Sequence, residues 1–261
     1  MVPGLNRSGP SSAIIAEIRA SEARAARAWP AITSQPLDGW QLRFNNGLHR
    51  RVNSVLAIGD VGELAFEDKL ARAEAYYRGH QLPPRFQISP ACLPDGLDDM
   101  LAARGYVVES GVDVQWATTA AVLSALEIGS PVRLLETPST EWMAVHMADV
   151  TDSTIVAGKL EMLKRIEPAH VFLQLEDDGA PKSVGIGVFD DGWTGLFGMH
   201  TLATDRRRGY AKTLVAALAR WTEAHGGRNM YLQVEHDNPE ALRFYEKAGF
   251  QTAYSYHYRT L

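Results

Sequence analysis

From Trp193 onward the apolar positions switch between strand and helix spacing in a fixed order. Trp193 to Leu202 is an apolar run punctuated by glycines and predicts a strand. Leu214, Val215, Leu218 and Trp221 then recur at helical spacing until Gly226 and Gly227 stop the pattern. Arg228 to Glu235 predicts a second strand. Asn238 to Phe250 predicts a short helix, with Asn238 as N-cap, Pro239 in the first helical position, Glu240 in the first turn and Gly249 just past the end. Tyr254 to Arg259 alternates strictly and would place Tyr254, Tyr256 and Tyr258 on one sheet face.

Upstream, residues 1–10 contain Pro3, Gly4, Gly9 and Pro10 and are expected to fray. A helix is predicted from Ser11 or Ser12 to about Ala28, with Ile14, Ile15 and Ile18 on one face, ended by Trp29-Pro30. Gly39 to Phe44 and His49 to Ile58 flank Asn45-Asn46-Gly47 and predict a hairpin. Then follow a helix over Glu67–His80, with Leu70, Ala73 and Tyr77 inward, a strand over Arg85–Ile88, a short helix over Leu97–Tyr106, and a strand over Val107–Trp116. Thr118 to Pro131 reads as a connector. Beyond it come a strand at Val132–Leu135, helices at Glu141–Met147 and Val156–Ile166, and a hairpin of His170–Leu175 with Ser183–Phe189 across Glu176–Gly179.

Composition narrows the picture. A chain of 261 residues holds one large domain or two ordinary ones. A net charge of -5 argues against a dedicated nucleic-acid binder but leaves local basic patches open. The single cysteine, Cys92, excludes an intrachain disulfide and points to a reducing compartment. No apolar run approaches the roughly 20 residues of a membrane span and no signal pattern opens the chain, so a cytoplasmic protein with no membrane partner is expected. No histidine has partners at metal-ligand spacing, so no metal is expected.

The chemistry lies between the strand ending near Thr201 and the helix that follows. Arg206, Arg207, Arg208, Gly209, Tyr210, Ala211 and Lys212 form a turn into a helix N-terminus. Free backbone N–H groups and the helix dipole make such a turn an anion cradle suited to a pyrophosphate. Taken alone the stretch is weak, because arginines in a loop are more often a solvated charge cluster.

Arg206-x-x-Gly209-x-Ala211 followed by Asn238-x-x-Ala241-x-x-x-Tyr245-x-x-x-Gly249-Phe250 resembles the GCN5-related N-acetyltransferases (GNAT) over roughly residues 132–261. Ala211 stands where many members have glycine. The resemblance implies an α/β fold with a mixed sheet and acetyl-CoA as cosubstrate. It implies direct acetyl transfer to an amine, and central strands that splay near Met199–Thr201 and Val234–Glu235. Backbone groups of Met199, His200 and Thr201 would hold the pantetheine arm, the turn over residues 206–212 the diphosphate, and Asn238 a further coenzyme contact, with Arg206, Arg207 and Arg208 divided between the diphosphate, the 3′-phosphate and solvent. Tyr245 is the expected acid for the departing thiolate, since its ordinary pKa near 10 keeps it protonated. For the general base, Glu235 is the first candidate, His200 the second and His257 the third.

Residues 1–117 repeat the order helix, strand, short helix, strand, and read as a degenerate GNAT-like copy, with an unrelated α/β domain as the alternative. Residues 118–131 would be the linker and 132–261 the catalytic domain. In the first copy Gly59 to Glu63 carries acids where a cradle needs donors, so no acetyl-CoA is expected there. The leading function is an acetyl-CoA-dependent N-acetyltransferase acting on a small-molecule or peptide amine, as monomer or homodimer. A non-catalytic acyl-CoA-binding module is the alternative. A nucleotide-binding protein is a third reading, without a G-x-G-x-x-G or Walker pattern to support it.

Overall fold

A computed structural model describes residues 11–127 and 129–261, and the expected fraying of residues 1–10 lies outside that range. The chain forms two compact units with interleaved boundaries. Among the described residues the first comprises 11–26, Ala31–Gly111 and Tyr254–Leu261, and the second Arg27–Pro30, 112–127 and 129–253.

Helix α1 (Ser12–Ala28) opens the described chain. In the first unit, strands β1 (Thr33–Leu37), β2 (Trp40–Phe44), β3 (Val55–Leu56) and β4 (Arg85–Ile88) lie in that order, followed by β11 (Gln251–Thr260). Only β3 and β4 pair in parallel. A parallel pair needs a crossover, here through helix α2 (Phe66–Gly79). Leu70, Ala73 and Tyr77 of α2 join Trp40, Phe86 and Leu101 in one buried core, Leu101 coming from helix α3 (Leu97–Ala102).

The second unit repeats this plan. Its strand order is β5 (Val107–Thr118), β10 (Asn229–Glu235), β9 (Trp193–Thr201), β8 (Ala180–Asp190), β7 (Ala169–Asp177), β6 (Val132–Leu135). Again one neighbouring pair is parallel, β9 with β10, and helix α7 (Tyr210–Ala224) crosses between them. Leu214, Val215 and Leu218 of α7 are fully buried against the sheet, each worth roughly 1.5–3 kcal/mol of transfer free energy. Helix α5 (Thr140–His146) packs on β8 and β9, and its Trp142 indole donates to the Leu173 carbonyl at 2.9 Å. Helices α6 (Ser153–Leu163) and α8 (Pro239–Lys247) complete the unit.

Three sequence expectations change. The segment read as a connector contains helix α4 (Thr119–Ala125), capped by the Thr118 hydroxyl, which accepts from Ala121 N at 3.1 Å. Val122 and Leu126 are buried in the second unit's core, so residues 118–126 are part of that unit. The unit boundaries also differ from 1–117 and 132–261: the last strand supplies residues to the first unit, and β5 supplies Val112–Thr118 to the second. Finally, Asn45-Asn46-Gly47 is not a tight hairpin turn. The Asn53 side chain accepts from Asn45 N at 2.8 Å and Gly47 N at 3.1 Å, and donates to the Leu48 and His49 carbonyls. That side chain organises a long loop and leaves only Val55–Leu56 as strand.

Candidate active site

The site is built where β9 and β10 part. Their parallel pairing runs from Asn229↔Trp193 to Leu232↔Leu196 and no further. Beyond it, Phe197–Thr201 and Gln233–Glu235 continue without pairing to each other, which is the splay the resemblance implies. On its other edge β9 slips against β8 between the pairs Ile186↔Phe197 and Val184↔His200, so β9 carries one extra residue. Gly198 adopts φ +57 in this bulge, and a Cβ there would lie 2.8 Å from His146 Cε1. His146 of α5 sits with Nδ1 3.1 Å from the Gly198 carbonyl.

After β9 the chain makes a 3₁₀ turn over Ala203–Asp205 and enters the arginine segment. Arg207 (φ 62) and Gly209 (φ 86) are both left-handed, which turns successive N–H groups toward one side. Gly209 is the N-cap of α7, and a Cβ on it would meet nothing within 4 Å. The backbone angle, not crowding, therefore calls for glycine at this position. Among the described turn and cap hydrogen bonds none is donated by the N–H groups of residues 206–212, and the series begins with Thr213 N to Gly209 O at 3.2 Å. The three arginines are exposed and unequal. Arg208 Nη1 lies 3.4 Å from Asp205 Oδ1 and 3.6 Å from Asp177 Oδ2, whereas no ion pair of Arg206 or Arg207 occurs among the described residues.

Helix α8 brings the phenol. The Asn238 side chain accepts from Ala241 N at 3.1 Å, so its capping role is geometric fact. At the other end Gly249 is left-handed (φ 92) and Phe250 N donates to the Tyr245 carbonyl at 3.0 Å, which closes the helix and fixes Tyr245. The Tyr245 ring packs on Phe244 and Phe250, with centroids 4.9 and 5.8 Å away. Burial alone raises the phenol's pKa above its ordinary value of 10.

One cleft of about 890 Å³ is lined by these pieces together, toward the upper end of the roughly 300–1,000 Å³ seen for small-molecule sites. Met199, His200 and Thr201 line it from β9, residues 206–212 from the turn, and Asn238 and Tyr245 from α8. Sequence reasoning missed Arg243 and Lys247, which also line it. Their spacing of four along α8 was the available signal. With Arg206, Arg207 and Lys212 they make the cleft locally basic in a chain of net charge -5.

The expected base does not join the cleft. Glu235 is an exposed residue at the end of β10 and is not among the lining residues. His257 belongs to the first unit, with Nε2 2.8 Å from Asp98 Oδ1. His200 does line the cleft. Burial lowers its pKa below 6.5, the Asp149 carboxylate 3.9 Å from Nε2 opposes this, and Arg206 adds to the lowering. Its imidazole is therefore neutral at pH 7. Burial pushes the Cys92 thiol up to about 11, which disfavours its thiolate.

The first unit has a turn in the matching place, before α2, but fills it from within. Asp38 accepts from Glu63 N at 2.9 Å and Leu64 N at 3.1 Å, with Lys69 Nζ 3.5 Å from its carboxylate. Desolvation would raise the Asp38 pKa, but the two N–H groups and Lys69 outweigh it and hold the carboxyl below its usual range. A Cβ on Gly62 would fall 1.6 Å from Asp38 Oδ1, so this turn is closed around its own carboxylate.

Comparison with known proteins gives the family and the fold. The family model described as "Probable histone acetyltransferase Rv0428c C-terminal" matches residues 15–259. The chain belongs to this acetyltransferase family. By fold it is a GNAT protein: a GCN5-related N-acetyltransferase from Kribbella flavida superposes with a TM-score of 0.62 at 14% identity, covering 97% of this chain and 96% of that one. A tandem GNAT protein from the clavulanic acid biosynthesis pathway gives 0.61 at 13% identity, covering 75% of this chain and 69% of that one. The chain is 29% identical over 246 residues to the uncharacterized N-acetyltransferase YobR of Bacillus subtilis, covering 93% of this chain and 98% of the relative. It is 27% identical over 240 residues to the probable histone acetyltransferase Rv0428c of Mycobacterium tuberculosis, covering 90% and 71%. Within this GNAT chain, no group of three or more metal-ligating side chains and no helix long and apolar enough to cross a membrane occurs among the described residues.

Proposed function

We propose that this protein is an acetyl-CoA-dependent N-acetyltransferase that moves the acetyl group directly to an amine. The observation that carries the reading is one cleft lined by both the Tyr245 phenol and a turn whose N–H groups make none of the described turn and cap hydrogen bonds. Acetyl-CoA supplies the thioester carbonyl and a leaving thiolate. The turn at Arg206–Lys212 holds the diphosphate through backbone N–H groups and the α7 dipole. The edge of β9 left unpaired beyond Leu196 offers backbone donors to the pantetheine arm and the acetyl oxygen.

His200, rather than Glu235, accepts the proton from the amine, because it lines the cleft and is neutral at pH 7. Tyr245 hands its proton to the sulfur. Its raised pKa is not an obstacle, since the burial that disfavours phenolate disfavours thiolate in the same place. The acceptor is a small-molecule or peptide amine, and the name carried by the mycobacterial relative puts a protein lysine within that range.

The test is thiol release from acetyl-CoA across a panel of amines, with Tyr245→Phe beside the wild type. Turnover of at least one amine is expected, with kcat lowered about 10²-fold or more in the variant and KM for acetyl-CoA little changed. Wild-type binding of the coenzyme without turnover of any amine would leave a non-catalytic acyl-CoA module instead. A Tyr245→Phe enzyme as fast as wild type would remove the phenol from the mechanism.

A further inference from the structure

We infer that Asp177 is a positioning residue for the coenzyme turn, and that Arg208 is the strut it acts through, not a phosphate ligand. This deepens the functional reading above and rests on it. Asp177 ends β7, well away in sequence from the turn. Its Oδ2 accepts the Tyr210 hydroxyl and lies 3.6 Å from Arg208 Nη1. Arg208 also reaches Asp205 Oδ1 at 3.4 Å, and Asp205 is buried, with Oδ2 accepting the Thr204 hydroxyl at 2.8 Å.

Arg208 and Tyr210 flank Gly209 on its two sides. The network therefore grips the left-handed step from both ends, while the turn's own N–H groups make none of the described backbone hydrogen bonds that would hold its shape. Two carboxylates already flank the Arg208 guanidinium, so a phosphate would have to displace them or share it. Arg206 and Arg207, without an ion pair among the described residues, are left to meet the coenzyme.

Charge alone predicts the opposite of positioning, which makes the inference decidable. A carboxylate beside an anion site repels the anion, so deleting it should tighten coenzyme binding. If Asp177 instead holds the turn in shape, deleting it loosens binding. The experiment is titration of coenzyme A into the full chain by calorimetry, with KM for acetyl-CoA and kcat measured alongside. The variants are Asp177→Ala, Arg208→Ala and the double variant.

The expected result is a Kd and KM raised about tenfold in each single variant, kcat unchanged, and a double variant no worse than either single. Tighter or unchanged binding in Asp177→Ala overturns the inference. So do single effects that multiply in the double variant, because an independent phosphate contact by Arg208 would do that. If Asp177→Ala fails to fold, Asp177→Asn and Tyr210→Phe carry the test: each removes part of the grip, and each should raise Kd with kcat unchanged. A wild-type chain that binds no coenzyme sinks the functional reading as well, whereas a wild type that binds with an indifferent Asp177→Ala sinks only the positioning role.

Discussion

Tyr245 and His200 line the same cleft, and their surroundings move their pKa values apart. Burial raises the phenol above 10 and lowers the imidazole below 6.5, so at neutral pH one is a proton donor and the other a proton acceptor. The sign of the pH dependence follows. His200 must be neutral to take a proton, so kcat/KM should fall as pH drops through its folded pKa, below 6.5, and be level from there through neutrality. A pH–rate profile from 5 to 8 checks this, and His200→Gln should lose the acid limb together with most of kcat. A limb unchanged in that variant would assign it to another group. The place of Tyr245 on a capped, Gly-closed helix is legible in the sequence, while its role as acid comes from the family resemblance. His200 is named there too, but ranks behind Glu235 as base, because the extra residue at Gly198 breaks the strict alternation that a strand face is read from.

At the scale of elements, the turn before α7 is set by backbone angle. Gly209→Ala would place a side chain in open space but force it to φ 86, a strain of about 1–2 kcal/mol. Thermal unfolding should show a lower Tm, and calorimetry a weaker affinity for coenzyme A as the N–H groups turn away. An affinity equal to wild type would mean that the turn's shape is not what binds. No residue of helix α8 is fully buried, and Tyr245 is half-buried against the core. The helix is held by the Asn238 cap and the Gly249 closure, the kind of local chemistry a sequence displays. The hairpins were read unevenly. Asp178-Gly179 falls within the expected turn, but Asp38-Gly39 and Asp191-Gly192 join β1 to β2 and β8 to β9 with the same pair of left-handed angles and passed unnoticed. The Asn-Gly signal near Gly47 misled, because Asn53 competes for the same backbone groups.

At the scale of the molecule, the repeat of plan was legible and the boundaries were not. Each unit has one parallel pair bridged by a helix, α2 or α7, followed by a short helix, α3 or α8. Which strand closes which unit depends on pairing between residues far apart in sequence, and no local signal records it. β10 pairs with Val112–Thr118, and β4 pairs with His257–Thr260. Fragments cut at the boundaries that the sequence suggests, 1–117 and 132–261, should therefore melt without cooperativity, because each lacks a strand that its own sheet pairs with. Circular dichroism melts and hydrogen exchange on the two fragments check this, and a sharp two-state transition in either would show that the missing strand is dispensable.

The same closing strand orders events on the ribosome. Most of the first unit leaves the exit tunnel early, yet the strand that lies against β4 belongs to residues 254–261. While the second unit is being translated, the nascent first unit must wait with an open sheet edge beside Phe86 and Ile88, in need of shelter from stray pairing until the last stretch arrives.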